Sequence, residues 1–273
     1  MDAPSFASLF GINCLDHDQG RGISVGEVRS SIRGIHASSA LAANTQDILK
    51  EKGLKMITAE EWWSIIEAYG VQIWPAQAVF YIAAILLTGW FLLKPGRVQS
   101  WFTKLYLSIA FAWNGIVFFL IIAKDITGDS YGSYLFGFIF IIVSVLFAVD
   151  LFRQKMQFSL PAARWHKYAT LALMLLVFCY PLFGIAFGHH FARLIIPGTF
   201  PCPTTAFGLL MLTTALPRID KIAYILLLLW AIPFPPFIQI PKYGVYEDTI
   251  MFVSGVYSLI LLLRYWKVRK KKG

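Results

Sequence analysis

Between Tyr180 and Leu210 the chain reads YPLFGIAFGHHFARLIIPGTFPCPTTAFGLL, and most of the side chains able to do polar chemistry beside an apolar span collect there. His189, His190 and Cys202 are donor types that copper or zinc accepts. Adjacent residues on a helix point about 100° apart, so both histidines meet one ion only on irregular backbone, and no acidic ligand lies near them in sequence. A second chemistry is anion binding. Pro203-Thr204-Thr205 resembles a helix start, where free N–H groups and the helix dipole favour negative charge. His189, His190 and Arg193 would add donors to that site. The competing account is structural: Thr204 and Thr205 cap a helix, the histidines are interfacial polar residues, and Cys202 is a small apolar filler.

The elements around these residues follow from composition. The 273-residue chain is 58% hydrophobic and 14% charged, where a soluble domain carries about a quarter charged residues. Lipid must cover much of its surface. Cys14, Cys179 and Cys202 are widely spaced, which indicates neither a disulfide framework nor a thiolate metal centre. The net charge of +9 is no nucleic-acid footprint, because residues 1–55 hold six basic and six acidic side chains and the excess lies in later loops and the tail. The basic segment 266–273 reads as a cytoplasmic tail.

The expected fold is all-α: a polytopic transmembrane helical bundle of about seven spans. The apolar segments are Trp74–Leu93, Leu105–Ala123, Tyr134–Phe152, Tyr168–Phe187, Thr204–Leu216, Ile222–Phe237 and Thr249–Tyr265. About 20 helical residues cross the hydrocarbon core. Alternate loops hold fifteen Lys and Arg against three (Lys124, Arg193, Lys242). That asymmetry predicts an outside N-terminus and a cytoplasmic C-terminus in a bacterial inner membrane.

Residues 1–55 are polar and lack an apolar period, and no secretory leader is recognisable in them. They read as a disordered extension, or as a mis-assigned start preceding a true start at Met56. Residues 56–73 predict an amphipathic interfacial helix: Thr58 and Glu61 have capping-box spacing, and Trp62, Ile66, Tyr69 and Ile73 follow at helical spacing. The transmembrane domain then covers 74–265. Trp74 is expected as an interfacial anchor beside Pro75, with Gln77 and Asn114 as interhelical hydrogen-bonders. Gly184 and Gly188 predict close helix packing, with a bend near Pro181.

Two spans are short. Pro201 and Pro203 precede the fifth, Pro217 ends it, and Pro233, Pro235 and Pro236 are expected to break the sixth after Ile232. Irregular backbone at membrane depth must be lined by protein or by a water-filled cavity, and Pro-interrupted spans point to binding sites in transporters. This predicts an outward-facing vestibule lined by 188–204 and 233–248; the alternative is a packed, solute-free loop. No charged residue is expected mid-span, with Asp150, Glu247 and Asp248 at span ends, which argues against a proton-driven pump. Walker A, HExxH and GxSxG motifs are missing, so the sequence favours a non-enzyme and indicates no cofactor.

WPAQ at Trp74–Gln77, then YPxxGxxxGH (Tyr180, Pro181, Gly184, Gly188, His189) leading into PCPTT at Pro201–Thr205, resembles the bacterial domain of unknown function 6064 family, over about residues 60–265. That resemblance implies a polytopic inner-membrane protein, sometimes labelled a transporter permease. Seven spans are too few for a twelve-span major-facilitator protein in one chain. Three functions stay open. The first is a solute binder or transporter using His189, Arg193, Cys202, Thr204 and Thr205; the second is a membrane enzyme or metal-handling protein using His189 and Cys202. The third is a partner subunit of a membrane complex. Besides the lipid bilayer, the expected partners are a small solute and a second copy or membrane subunit.

Overall fold

The computed structural model describes residues 58–123 and 130–270, all within one unit, Leu54–Gly273. The expectations for residues 1–55 and for Met56 lie outside the described residues.

The first helix, α1 (Ala59–Leu93), begins as the capping box predicts. Glu61 N donates to Thr58 Oγ1 at 3.2 Å, and Thr58 N donates to a Glu61 carboxylate oxygen at 2.9 Å. The expected separate interfacial helix is corrected: residues 59–73 and the first span form one helix that runs through Pro75. Proline removes a single amide donor, and its surroundings supply no terminating cap. The aromatic face of the first turns packs on protein, with Trp62, Trp63, Ile66 and Tyr69 buried.

Helix α2 (Arg97–Trp113) widens at Asn114 into a π-helix, Asn114–Ala123. It packs on α3 (Ser130–Arg153) through small residues. A Cβ on Gly115 would meet Gly137 O at 2.9 Å, and Ser108 and Ser144 each donate to the other's carbonyl at 3.0 and 2.7 Å. Such approach is how helices associate where no hydrophobic drive acts between them. Helices α4 (Arg164–Phe178) and α5 (Tyr180–Ala186) form a pair bent by 55°.

Next, α6 (Pro201–Thr214) is buried along its whole length, packed among α2, α4 and two later helices. Those are α7 (Lys221–Ala231) and α9 (Thr249–Lys270). The regular α-helix ends at Ala231 with Ile232 as its C-cap, as the prolines predict, but the chain beyond is helical where irregular backbone was expected. A π-helix, Pro235–Gln239, and the short α8 (Ile240–Tyr243) prolong α7 to Tyr243, since wider hydrogen-bond spacing carries the chain past prolines that lack N–H donors. Gly244, at φ 69°, ends it.

Among the described residues five helices are long and apolar enough to cross a membrane: Ala59–Leu93, Arg97–Ala123, Gly132–Arg153, Lys221–Tyr243 and Tyr246–Lys267. The bent α4–α5 pair makes a sixth. The expected seventh is α6, whose 14 residues span about 21 Å, short of the hydrocarbon core.

Candidate functional site

The segment between α5 and α6 is irregular, as its prolines predict, and it lies against α1. Tyr69 donates its hydroxyl to Thr199 O at 3.0 Å. A Cβ on Gly198, at φ 102°, would meet the Phe80 Cβ at 2.6 Å. Protein therefore surrounds this backbone, and Leu194, Ile195 and 197–200 are buried, as irregular chain beside apolar spans requires. Asn114 locks the segment to α6. Its Nδ2 donates to Gly198 O at 3.0 Å and to Thr204 Oγ1 at 3.4 Å, and Thr204 Oγ1 accepts from Gly198 N at 2.8 Å and donates to Phe200 O at 2.5 Å. The bonding expected of Asn114 is present. Thr204 is fully engaged inside the protein, and Thr205 is buried with an unpartnered hydroxyl.

The polar residues expected to converge do not. His190 is exposed and accepts from Ala192 N, capping the 3-10 turn Phe191–Arg193. Arg193 donates to Glu67 at 2.9 Å, with both side chains over a third exposed. His189 turns the other way: its ring packs on Trp63 with centroids 4.1 Å apart, and its Nδ1 is 3.2 Å from Glu247 Oε1. The expectation that no acidic group lies near His189 is corrected. Gly184 packs beside the pair: a Cβ there would sit at ordinary contact distance, 3.5 Å from His189 Nδ1 and 3.7 Å from Glu247 Oε1. Gly188 acts otherwise than expected: it has nothing within 4 Å and serves through its φ of 86°. The bend falls at Cys179, just ahead of Pro181 in the first turn of α5. No three His, Cys, Asp or Glu side chains come together for a metal among the described residues. Trp74 is 61% exposed, as an interfacial anchor would be, and Gln77 is buried with Nε2 unpartnered.

The constellation that does form centres on Asp248, which immediately precedes α9. Asp248 is fully buried and Glu247 nearly so. Tyr180 donates its hydroxyl to Asp248 Oδ1 at 2.8 Å, and the thiol of Cys202, a weak donor, lies beside the same carboxylate. Among the described residues no N–H or O–H group donates to Asp248 Oδ2. Consecutive residues thus reach two parts of the predicted cluster: Glu247 takes His189, and Asp248 takes Cys202 and Tyr180.

A cavity of about 320 Å³ adjoins Asp248. Pro201 and Cys202 from the predicted site line it, whereas His189, Arg193, Thr204 and Thr205 do not. Aromatic residues are the largest class in its wall, including Trp62, Phe118, Trp230 and Tyr243. Trp62 stacks on Tyr243 at 4.7 Å and Trp230 on Phe234 at 4.1 Å. Trp63, which touches His189, donates its Nε1 to Tyr243 O at 2.8 Å and so ties the histidine to the wall. Sequence reasoning missed Asp248, Glu247 and the aromatic wall. The available signal was a Glu-Asp pair directly before an apolar helix in a chain poor in acids.

A second buried charge needs separating from this one. Lys104, counted in a loop from sequence, sits in α2 and pairs with Asp150 Oδ2 at 2.9 Å, with both side chains buried.

The family model described as a family of unknown function, DUF6064, matches residues 59–272. No curated protein and no solved structure is similar enough to show a relationship. The match takes in every described helix except the cap of the first, together with the cavity and its acidic pair, and the chain belongs to the DUF6064 family.

Proposed function

We propose that this protein is a multi-pass protein of a bacterial inner membrane that binds a small solute in the aromatic cavity beside Asp248. The observation that carries this reading is the cavity itself, about 320 Å³ in volume, with a carboxylate on a wall of aromatic rings. Ligand sites combine mostly apolar walls with a few fixed polar groups, and an ionisable group buried within a helical membrane bundle is retained for a task. Passage of the solute across the membrane is the transporter form of the same reading.

The distribution of Lys and Arg supports an outside N-terminus and a cytoplasmic C-terminus. In that orientation the 187–200 segment and the α8–α9 connection belong to the outer side. A C-terminal reporter should be active only in the cytoplasm, and activity outside would reverse the orientation.

Solute binding is tested by thermal unfolding of the purified full chain against a panel of cationic, neutral and anionic solutes. A ligand present at 100 times its Kd stabilises by about 2.7 kcal/mol. The expected result is stabilisation by one charge class, lost in Ala123→Phe, which fills the wall where Ala123 is buried. Stabilisation that persists in the filled variant would overturn the assignment to this cavity.

A further inference from the structure

Resting on the proposal that the cavity holds a solute, we infer that the solute is an organic cation, an ammonium carried on an apolar body. Asp248 lines the cavity, is fully buried, and has one carboxylate oxygen without an N–H or O–H donor. Among the described residues no Lys, Arg or His forms an ion pair with it. Its position at the N-terminal end of α9 favours negative charge through the helix dipole. A buried carboxylate beside a cavity, with no ion-pair partner among the described residues, lacks a counter-charge, and a cationic ligand supplies one.

The wall selects the kind of cation. A metal ion needs several oxygen, nitrogen or sulfur ligands, and no such group assembles among the described residues. Aromatic faces cannot replace those ligands, but they do attract ammonium groups, with Trp the strongest. Trp62, Phe118, Trp230 and Tyr243 line the same cavity as the carboxylate. The Tyr243 ring already takes an ammonium in this way: Lys242 Nζ lies 4.8 Å from its centroid. Lys242 also lines the cavity but is solvent-exposed, so its repulsion of a second cation is screened. An anion would meet Asp248 with Glu247 next to it, and a neutral solute would leave Asp248 without a counter-charge. The ammonium can come from a free amine or from a lipid headgroup.

The test uses phenyltrimethylammonium and its neutral carbon isostere, tert-butylbenzene, titrated into the detergent-solubilised full chain while tryptophan emission is followed; Trp62 and Trp230 report from the wall. The cation should bind saturably and at least about tenfold more tightly than the isostere. Asp248→Asn keeps the acceptor for Tyr180 and should weaken the cation about 30-fold without moving the isostere. The comparison within the native chain stands even if that variant fails to fold. Equal binding of the two probes would overturn the ammonium assignment and leave the cavity as a solute site. Binding of neither would overturn the solute reading as well. In nanodiscs of phosphatidylglycerol, competition by added phosphatidylcholine would support a lipid headgroup as the source of the ammonium, and undiminished binding would support a free amine.

Discussion

Three carboxylates are buried among the described residues, and two of them, Asp150 and Asp248, have opposite surroundings. Asp150, near the end of α3 remote from the cavity-lining Ser133, is saturated. Lys104 Nζ donates to Oδ2 at 2.9 Å, Met156 N to the same oxygen at 2.9 Å, and Lys155 N to Oδ1 at 3.1 Å. Lys104 also donates to Asp150 O at 3.0 Å. Asp248 has the Tyr180 hydroxyl, a neighbouring thiol and a cavity. Burial alone therefore says little about role. A charge with donors on both oxygens and a paired ammonium clamps helices together, whereas one with no ion-pair partner beside a cavity is available to something else. The first arrangement fastens α2, α3 and the following loop through an ion pair; the second ties the start of α9 to α5 and α6 through the neutral Tyr180 hydroxyl and Cys202 thiol.

That contrast can be broken most sharply at Lys104. Lys104→Met leaves Asp150 buried without its counter-charge, which costs about 3–5 kcal/mol. Unfolding of the detergent-solubilised chain should show the loss, and a change below about 1 kcal/mol would mean that the pair is not a clamp. Gly198→Ala comes next. Its positive φ and the Phe80 contact at 2.6 Å should cost about 2–3 kcal/mol, read in the same unfolding assay. Asp248→Asn, with no ion pair to lose, should change stability by less than about 1 kcal/mol in the absence of ligand; a loss as large as that of Lys104→Met would make Asp248 a structural residue. Arg193→Ala breaks a half-exposed pair with Glu67 and should cost less than about 1 kcal/mol.

The same two regions show how far the sequence could be read. Signals confined to neighbouring residues held: the Thr58–Glu61 box, the proline start of α6, and the irregular chain before it. The all-helical, membrane-suited class followed from composition. The boundary expected at Trp74 is absent, and the prolines after Ile232 end the α-helix without making the chain irregular, because proline removes a donor but does not decide whether packing or a π-turn carries the helix onward. Asp150 and Glu247-Asp248 do lie at helix ends, as their position in the chain predicts, but sequence position does not report burial. Lys104 and Asp150 are 46 residues apart and Tyr180 and Asp248 are 68 apart, so only the folded bundle brings them together. His189 and Cys202 were noticed for their types. Their separate partners, Glu247 and Asp248, depend on the approach of α5 and α6 to the start of α9.

The central claim is that the open carboxylate awaits a cation and the saturated one does not. The direct measurement is the unfolding free energy of the native chain, Asp150→Asn and Asp248→Asn, each with and without phenyltrimethylammonium. The native chain and Asp150→Asn should gain stability from the cation, Asp150→Asn from a lower starting point, while Asp248→Asn should gain none. An equal gain in Asp248→Asn would contradict the account.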